Sequence, residues 1–94
     1  MKIGLLQAEL YLSQCGSLKQ KRFALSGLKS RLRNKFNVSI IEAAYQDKWQ
    51  RAVIAIACIS NDEKILSSTF NQILNFIERE KKGFEILNSQ IEIL

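Results

Sequence analysis

A cluster of cations without counter-charge is the feature of this sequence most able to do chemistry. Seven Lys and Arg residues, and no Asp or Glu, lie between Leu10 and Ile41. They are half of the fourteen cations in a chain whose formal net charge is +5. The seven are Lys19, Lys21, Arg22, Lys29, Arg31, Arg33 and Lys35. Because a charge field of one sign attracts a partner of the other, the cluster predicts contact with nucleic acid, an anionic surface or a phosphorylated ligand.

The densest part of the cluster is Ser17-Leu18-Lys19-Gln20-Lys21-Arg22. Ser17 and Gln20 have the spacing of a helix capping box, so the three cations fall in the first two turns of a predicted helix. Cations are unfavourable near a helix N-terminus, and such local violations often mark function. With Gly16 and free backbone donors nearby, the segment could hold a phosphate. The alternative for Lys21, which falls among apolar positions, is a packed stem with its amine in water.

Further along the predicted helix, Arg22, Lys29 and Arg33 share one stripe, which suits phosphates spaced along a duplex or folded RNA. The alternative is a solvated charged face, although such faces usually mix both signs. The third predicted strand has no aromatic residue to stack bases, so the helix is the expected RNA surface. The predicted RNA- or phosphate-binding residues are Lys19, Lys21, Arg22, Lys29 and Arg33.

Three further residues are candidates for contact with a partner. Phe23 is predicted on the outer side of the helix, where it could stack a base, touch a neighbouring subunit or do neither. Trp49 lies in a predicted loop beside Arg51, and Trp and Arg often anchor partners. A cap over the end of the core is the favoured alternative for Trp49.

Composition argues against catalysis. Histidine is absent, which excludes a His-dependent triad and removes the commonest transition-metal ligand. Cys15 and Cys58 are too few for a closed zinc site and are predicted to be free thiols. Cys15 precedes a helix start, which can lower a thiol pKa, but no histidine is present to serve it. Glu9 and Glu42 could face one cleft, yet no spacing forces them to converge. We expect no enzyme, no metal and no cofactor.

The elements that position these residues follow from hydrophobic periodicity and from turn residues. The first helix is predicted to end at Asn34 or Asn37, and the second to begin at the caps Ser60-Asn61-Asp62 and to end at Lys81-Lys82-Gly83. The second helix has the apolar stripe Ile65, Leu66, Thr69, Phe70, Ile73 and Ile77. The predicted strands and first helix are strand 2–12, helix Leu18 to Lys35, and strands Val38 to Gln46, Gln50 to Ile59 and Phe84 to Leu94.

This order of elements, βαββαβ, predicts a single ferredoxin-like domain over residues 1–94. Two helices would cover one face of a four-stranded antiparallel sheet, with the first and third strands at its centre. The third strand is apolar on both faces, so we expect the open face to contact a partner, most simply a second copy in a homodimer. A tolerated apolar patch is the alternative. No apolar run reaches the length of a membrane span, and a cytoplasmic protein is expected.

Short segments along nearly the whole chain also carry a family resemblance. They are Gly4-Leu5-Leu6 with Glu9-Leu10, Ser17-Leu18-Lys19-Gln20-Lys21-Arg22, Phe36-Asn37-Val38-Ser39, Trp49-Gln50-Arg51-Ala52 and Ser60-Asn61-Asp62. Together they resemble the YlxP-like family of small bacterial proteins, a domain of unknown function. The resemblance implies a ferredoxin-like fold and no established catalytic residues. Because members are often encoded beside transcription, translation-initiation and ribosome-maturation factors, it also implies a role near ribosomal RNA.

The sequence thus predicts a basic accessory protein that binds structured RNA or a ribosomal particle through its first helix. The alternative is a homodimeric protein-interaction or phosphorylated-ligand-sensing module that does not bind RNA.

Overall fold

Six elements in the predicted order make up the computed structural model, which describes residues 1–80 and 83–94. The strands form one antiparallel sheet in the order β2-β3-β1-β4, so the central pair is β1 and β3, as predicted. The ferredoxin-like arrangement expected from the sequence is confirmed. The elements are β1 (Lys2–Leu12), α1 (Leu18–Lys35), β2 (Ser39–Ala44), β3 (Arg51–Ser60), α2 (Glu63–Arg79) and β4 (Phe84–Ile93).

The ends of α1 confirm one prediction and correct another. Ser17 is the N-cap, and its hydroxyl accepts from the Gln20 N–H at 3.1 Å. The side-chain amide oxygen Oε1 of Gln20 accepts from the Gly16 N–H at 2.6 Å, one residue before the partner of a standard capping box. The prediction that Asn34 or Asn37 closes the helix is wrong. Phe36 is the C-cap, because the chain turns there directly into extended backbone at φ −130°.

The other helix and strand boundaries differ from the predicted ones by a few residues. Strand β2 ends at Ala44, earlier than predicted, and the next residue, Tyr45, has a left-handed φ of 63°. Such a φ interrupts an extended strand and is uncommon for a bulky side chain. Asp62 is the N-cap of α2, and its carboxylate accepts from the Lys64 N–H at 2.9 Å. Lys81 and Lys82, predicted at the end of α2, lie outside the described residues, whereas Gly83 follows with a φ of 83°.

The core lies between the helices and one face of the sheet. On α2, Leu66, Phe70, Ile73 and Ile77 are buried as the apolar stripe predicted, but Ile65 is exposed. Phe70 packs so closely on β1 that a Cβ at Gly4 would lie 2.6 Å from its ring. A glycine is therefore required at Gly4, because any side chain there would displace Phe70.

The other face of the sheet is uncovered and half apolar. Ile3 and Ile59, which are cross-strand partners on β1 and β3, are both exposed there. Ile41 on the edge strand β2 extends the same patch beside Ala55. Strand β4 supplies polar residues such as Gln90 and Glu92 to the remaining half. Within the described residues, no helix has the length and apolar character needed to cross a membrane.

Candidate nucleic-acid interface

Lys21, the sharpest misfit in the sequence, lies inside the protein. Its side chain is only 1% exposed, and its ammonium lies 2.7 Å from a carboxylate oxygen of Glu42 on β2. The same ammonium donates a hydrogen bond of 2.5 Å to the carbonyl oxygen of Tyr45. The alternative considered from the sequence, in which the amine reaches water, is therefore wrong, because the ammonium is paired internally. Lys21 joins α1 to β2 and cannot present its charge to an external phosphate in this conformation.

Three other cations of α1 are also engaged within the fold. Arg31 makes a two-point ion pair with Glu80, in which Nη2 lies 2.8 Å from Oε1. Lys35 lies over the ring of Phe76, with its ammonium 5.0 Å from the ring centroid. Arg33 is exposed but donates one guanidinium hydrogen bond of 3.1 Å to the carbonyl oxygen of Ile40. These contacts tie α1 to α2 and to the edge strand β2.

Lys19, Arg22 and Lys29 remain outside this internal network. Lys19 and Arg22 are exposed and Lys29 is half-buried, and none of them makes an ion pair within the described part of the chain. With Arg33, they extend about 21 Å along α1 at a rise of 1.5 Å per residue. No carboxylate lies on α1 to neutralise them. Four of the five predicted phosphate-binding cations thus lie along one helix with solvent access.

An apolar groove opens beside the first turns of α1. It has a volume of about 390 Å³ and is lined by Gln14, Cys15, Lys19, Gln20, Phe23 and Ala24. Phe23 is 83% exposed, which confirms its predicted place on the outer side of the helix. Lys19 precedes Phe23 by one helical turn, so the two side chains are neighbours on the helix surface.

Cys15 contributes a neutral group to this groove. Burial raises the pKa of its thiol above the ordinary value of 9.0, and the nearby Lys21 ammonium opposes that rise only in part. The helix start, which can lower a thiol pKa, is thus outweighed by loss of solvent. The second thiol, Cys58, is half-buried against the core at the other end of the sheet.

The remaining candidates separate onto different surfaces. Glu9 and Glu42 lie on opposite faces of the sheet, because Glu9 is opposite Val53 and Glu42 is opposite Ile54 on the alternating strand β3. They do not share a cleft. Arg51 makes an ion pair with Glu9 on the open face, and its guanidinium lies 5.3 Å from the centroid of the Tyr45 ring.

The sequence favoured Trp49 as a cap over the end of the core, and this prediction is wrong. Trp49 is 55% exposed in the loop between β2 and β3. It lines a shallow hollow with Asp47, Lys48, Gln50 and Arg51, where both signs of charge are present. A contact between this loop and a partner stays a prediction. Among residues 1–80 and 83–94, no three Cys, Asp or Glu side chains come together as a metal site.

Two participants in the charge network were not predicted. Tyr45 supplies a carbonyl to Lys21, which depends on a left-handed backbone that composition does not reveal. Glu80 pairs with Arg31 across 49 positions of sequence, and no local spacing indicates such a pair. The one signal in the sequence was Lys21, a charged residue within the apolar stripe of α1. Because a buried cation requires a partner, its position indicated an internal ion pair but not which residues form it.

These features define the class of the protein. It is a ferredoxin-like α+β protein with an open sheet face and a basic first helix. Residues 3–91 match the family described as "Protein of unknown function (DUF503)", so the chain belongs to that family. Over 76 residues it is 41% identical to the uncharacterized protein YlxP of Bacillus subtilis (strain 168), covering 81% of this chain and 83% of that protein. The resemblance stated from the sequence is confirmed.

Proposed function

We propose that this protein is a non-enzymatic, cytoplasmic accessory protein that binds structured RNA or a ribosomal particle through α1. The observation that carries the proposal is the division of the α1 cations. Lys21 is buried, and Arg31 and Lys35 contact Glu80 and the Phe76 ring. Lys19, Arg22 and Lys29 make no ion pair among the described residues, and Arg33 is exposed with a single hydrogen bond to the Ile40 carbonyl. Cations that lie along one helix without neighbouring carboxylates create a positive field, and such a field attracts a polyanion.

Contacts to phosphates supply affinity with little discrimination of sequence. Each neutralised phosphate releases counterions, so the affinity must fall as salt rises. For about four contacts to a duplex segment, the logarithm of the binding constant should fall with the logarithm of salt with a slope of about −3.6. A phosphorylated small ligand held by one or two cations would give a much shallower slope.

The test is binding of the purified protein to ribosomal RNA fragments across a salt series, with a Lys19→Ala/Arg22→Ala variant. The variant should bind more weakly, and its salt slope should be shallower by about two. A Lys2→Ala/Lys64→Ala variant is the matched control, because it removes the same net charge from exposed positions outside α1. Equal losses in both variants, or no binding by wild-type protein at low salt, would refute the proposal.

The alternative function, a homodimeric interaction module, has one specific observation in its favour. Ile3, Ile41 and Ile59 are exposed together on the open sheet face, around the half-buried residues Leu5 and Ala57. A second copy is the occupant that we propose, because an isologous contact lets one apolar half-face cover another. The acidic residues of that face, such as Glu92 on β4, would then lie at the rim.

Sedimentation of wild-type protein beside Ile59→Lys and Ile65→Lys variants tests the dimer. Ile59 lies on the open face and Ile65 on α2, and both are exposed to a similar extent. A dimer lost only in the Ile59→Lys variant would support the interface. A monomeric wild-type protein at high concentration would exclude it.

A further inference from the structure

Phe23 is the most exposed aromatic side chain among the described residues, and the groove beside it has a volume in the range of small-molecule sites. The ring is 83% exposed, and the groove of about 390 Å³ runs from it to the β1–α1 loop. Its lining combines the Phe23 ring and the Ala24 methyl group with the amide side chains of Gln14 and Gln20. The site therefore offers one aromatic face together with hydrogen-bonding groups.

Charge around the groove selects the ligand. Lys19 lines the groove and Arg22 lies one turn further along α1, and neither makes an ion pair within the described residues. The segment from Tyr11 to Ile40 contains no carboxylate, so an anionic ligand would meet no repulsion from it. An aromatic face with one cation in the groove, Lys19, and a second, Arg22, one turn further along the helix matches a nucleotide, whose base stacks while its flanking phosphates contact the cations.

Trp49, the next most exposed aromatic side chain, lacks this combination. Trp49 is also exposed, but its hollow includes Asp47 as well as Lys48 and Arg51. A carboxylate beside the ring disfavours a phosphate there. The two aromatics thus differ in electrostatic setting and provide an internal comparison.

We propose that the groove beside Phe23 binds one unpaired nucleotide of the RNA, with its base stacked on Phe23 and its flanking phosphates at Lys19 and Arg22. This inference rests on the proposed function and adds to it the kind of RNA that is bound. The preferred target is a folded RNA with a bulged or unpaired nucleotide beside a helical segment. The remaining cations, Lys29 and Arg33, would contact the phosphates of that helical segment.

The experiment compares two RNA probes that differ in one feature. One is a blunt RNA duplex, and the other is the same duplex with a single bulged fluorescent adenine analogue. Wild-type protein should bind the bulged probe more tightly by on the order of tenfold, the scale of stacking on one aromatic ring. The fluorescence of the analogue should also change on binding, because its base moves onto the Phe23 ring.

Four variants separate the possible causes. Phe23→Ala and Phe23→Leu should lose the preference for the bulged probe but keep duplex binding, whereas Phe23→Tyr should keep the preference. Trp49→Ala should behave as wild type. A Phe23→Leu variant that keeps the preference would show that apolar bulk is sufficient and would overturn base stacking.

Failure of the inference and failure of the proposed function give different results. If wild-type protein binds both probes equally, and Lys19→Ala/Arg22→Ala weakens both, the RNA function stands and the nucleotide site is refuted. If wild-type protein binds neither probe at low salt, the proposed function is refuted and the nucleotide site with it.

Discussion

The two helices cover the same face of the sheet but use charge in opposite ways. α2 carries both signs, including Glu63 in its first turn and Arg79 in its last, as the helix dipole favours. Its buried residues are all apolar. α1 has no acidic residue, has Lys19 near its positive end, and buries Lys21 beside three leucines. The comparison indicates that α2 balances its cations with carboxylates, as Glu63 does beside Lys64 in the first turn, whereas α1 has no carboxylate to balance the cations on its exposed side.

The largest effect should come from the core face of α2. Phe70→Ala removes a fully buried ring from the surface of Gly4, and the free energy of unfolding should fall by about 3–5 kcal/mol. Chemical denaturation measures this loss. Ile65→Ala on the exposed side of α2 is the control, with a change within about 0.5 kcal/mol. Similar losses in both variants would contradict the assignment of the core face.

The next effect distinguishes two lysines of α1 that the sequence places in one cluster. Lys21→Ala should lower the free energy of unfolding by about 3 kcal/mol, because it leaves Glu42 and the Tyr45 carbonyl without their cation. Lys19→Ala should change it by less than about 0.5 kcal/mol, because Lys19 is exposed. Denaturation of both variants measures the difference.

A second pair of variants sharpens this prediction. Lys21→Met combined with Glu42→Leu replaces both charges by apolar groups and should recover much of the loss, since the remaining carboxylate is removed with its cation. If Lys21→Ala were no more harmful than Lys19→Ala, the ammonium would not be buried in solution. Lys21 would then return to the set of phosphate-binding candidates.

A smaller effect is expected at the ion pair that joins α1 to α2. Arg31 and Glu80 are partly exposed, so a double-mutant cycle with Arg31→Ala and Glu80→Ala should give a coupling of about 1 kcal/mol. Raising the salt concentration should reduce the coupling. Arg22→Ala is the matched control, because Arg22 makes no ion pair in the described residues. A coupling near zero would show that the helices are joined by packing alone.

Local sequence rules predicted α1 more completely than they predicted its contacts. The capping hydroxyl of Ser17 and the repeat of Leu25, Leu28 and Leu32 are local features, and they fix the start and the buried face of the helix. The end at Phe36 was missed because the chain leaves the helix without a residue in the left-handed region, which is the feature that Asn predicts.

The division of the cations could not be predicted, because it depends on partners that are distant in sequence. Lys21 meets Glu42 and Arg31 meets Glu80 only when β2 and α2 are in place. Composition showed the excess of charge but not which charges the fold neutralises. The same limit applies to Trp49, since the packing of a loop follows from long-range geometry that no local pattern records.

The smallest effect concerns the start of α1, where influences that lower and raise the pKa of the Cys15 thiol oppose each other. A helix start lowers a thiol pKa, and the Lys21 ammonium acts in the same direction, but burial raises the pKa of Cys15 above 9.0. The unfolded thiol therefore loses its proton at a lower pH than the folded thiol. Between these two pKa values the folded state binds more protons, so stability is fully present below pH 9 and falls as pH rises.

Denaturation from pH 7 to 10.5 should show this loss in wild-type protein and a smaller one in Cys15→Ala, with Cys58→Ala as the matched control. Cys15 should also react with iodoacetamide more slowly in the folded than in the unfolded chain at pH 8, because the thiolate is the reactive form. Faster alkylation in the folded state would mean that the helix start and Lys21 prevail over burial. Cys15 would then add a negative charge to the lining of the groove beside Phe23, where it would oppose the binding of a phosphate at Lys19.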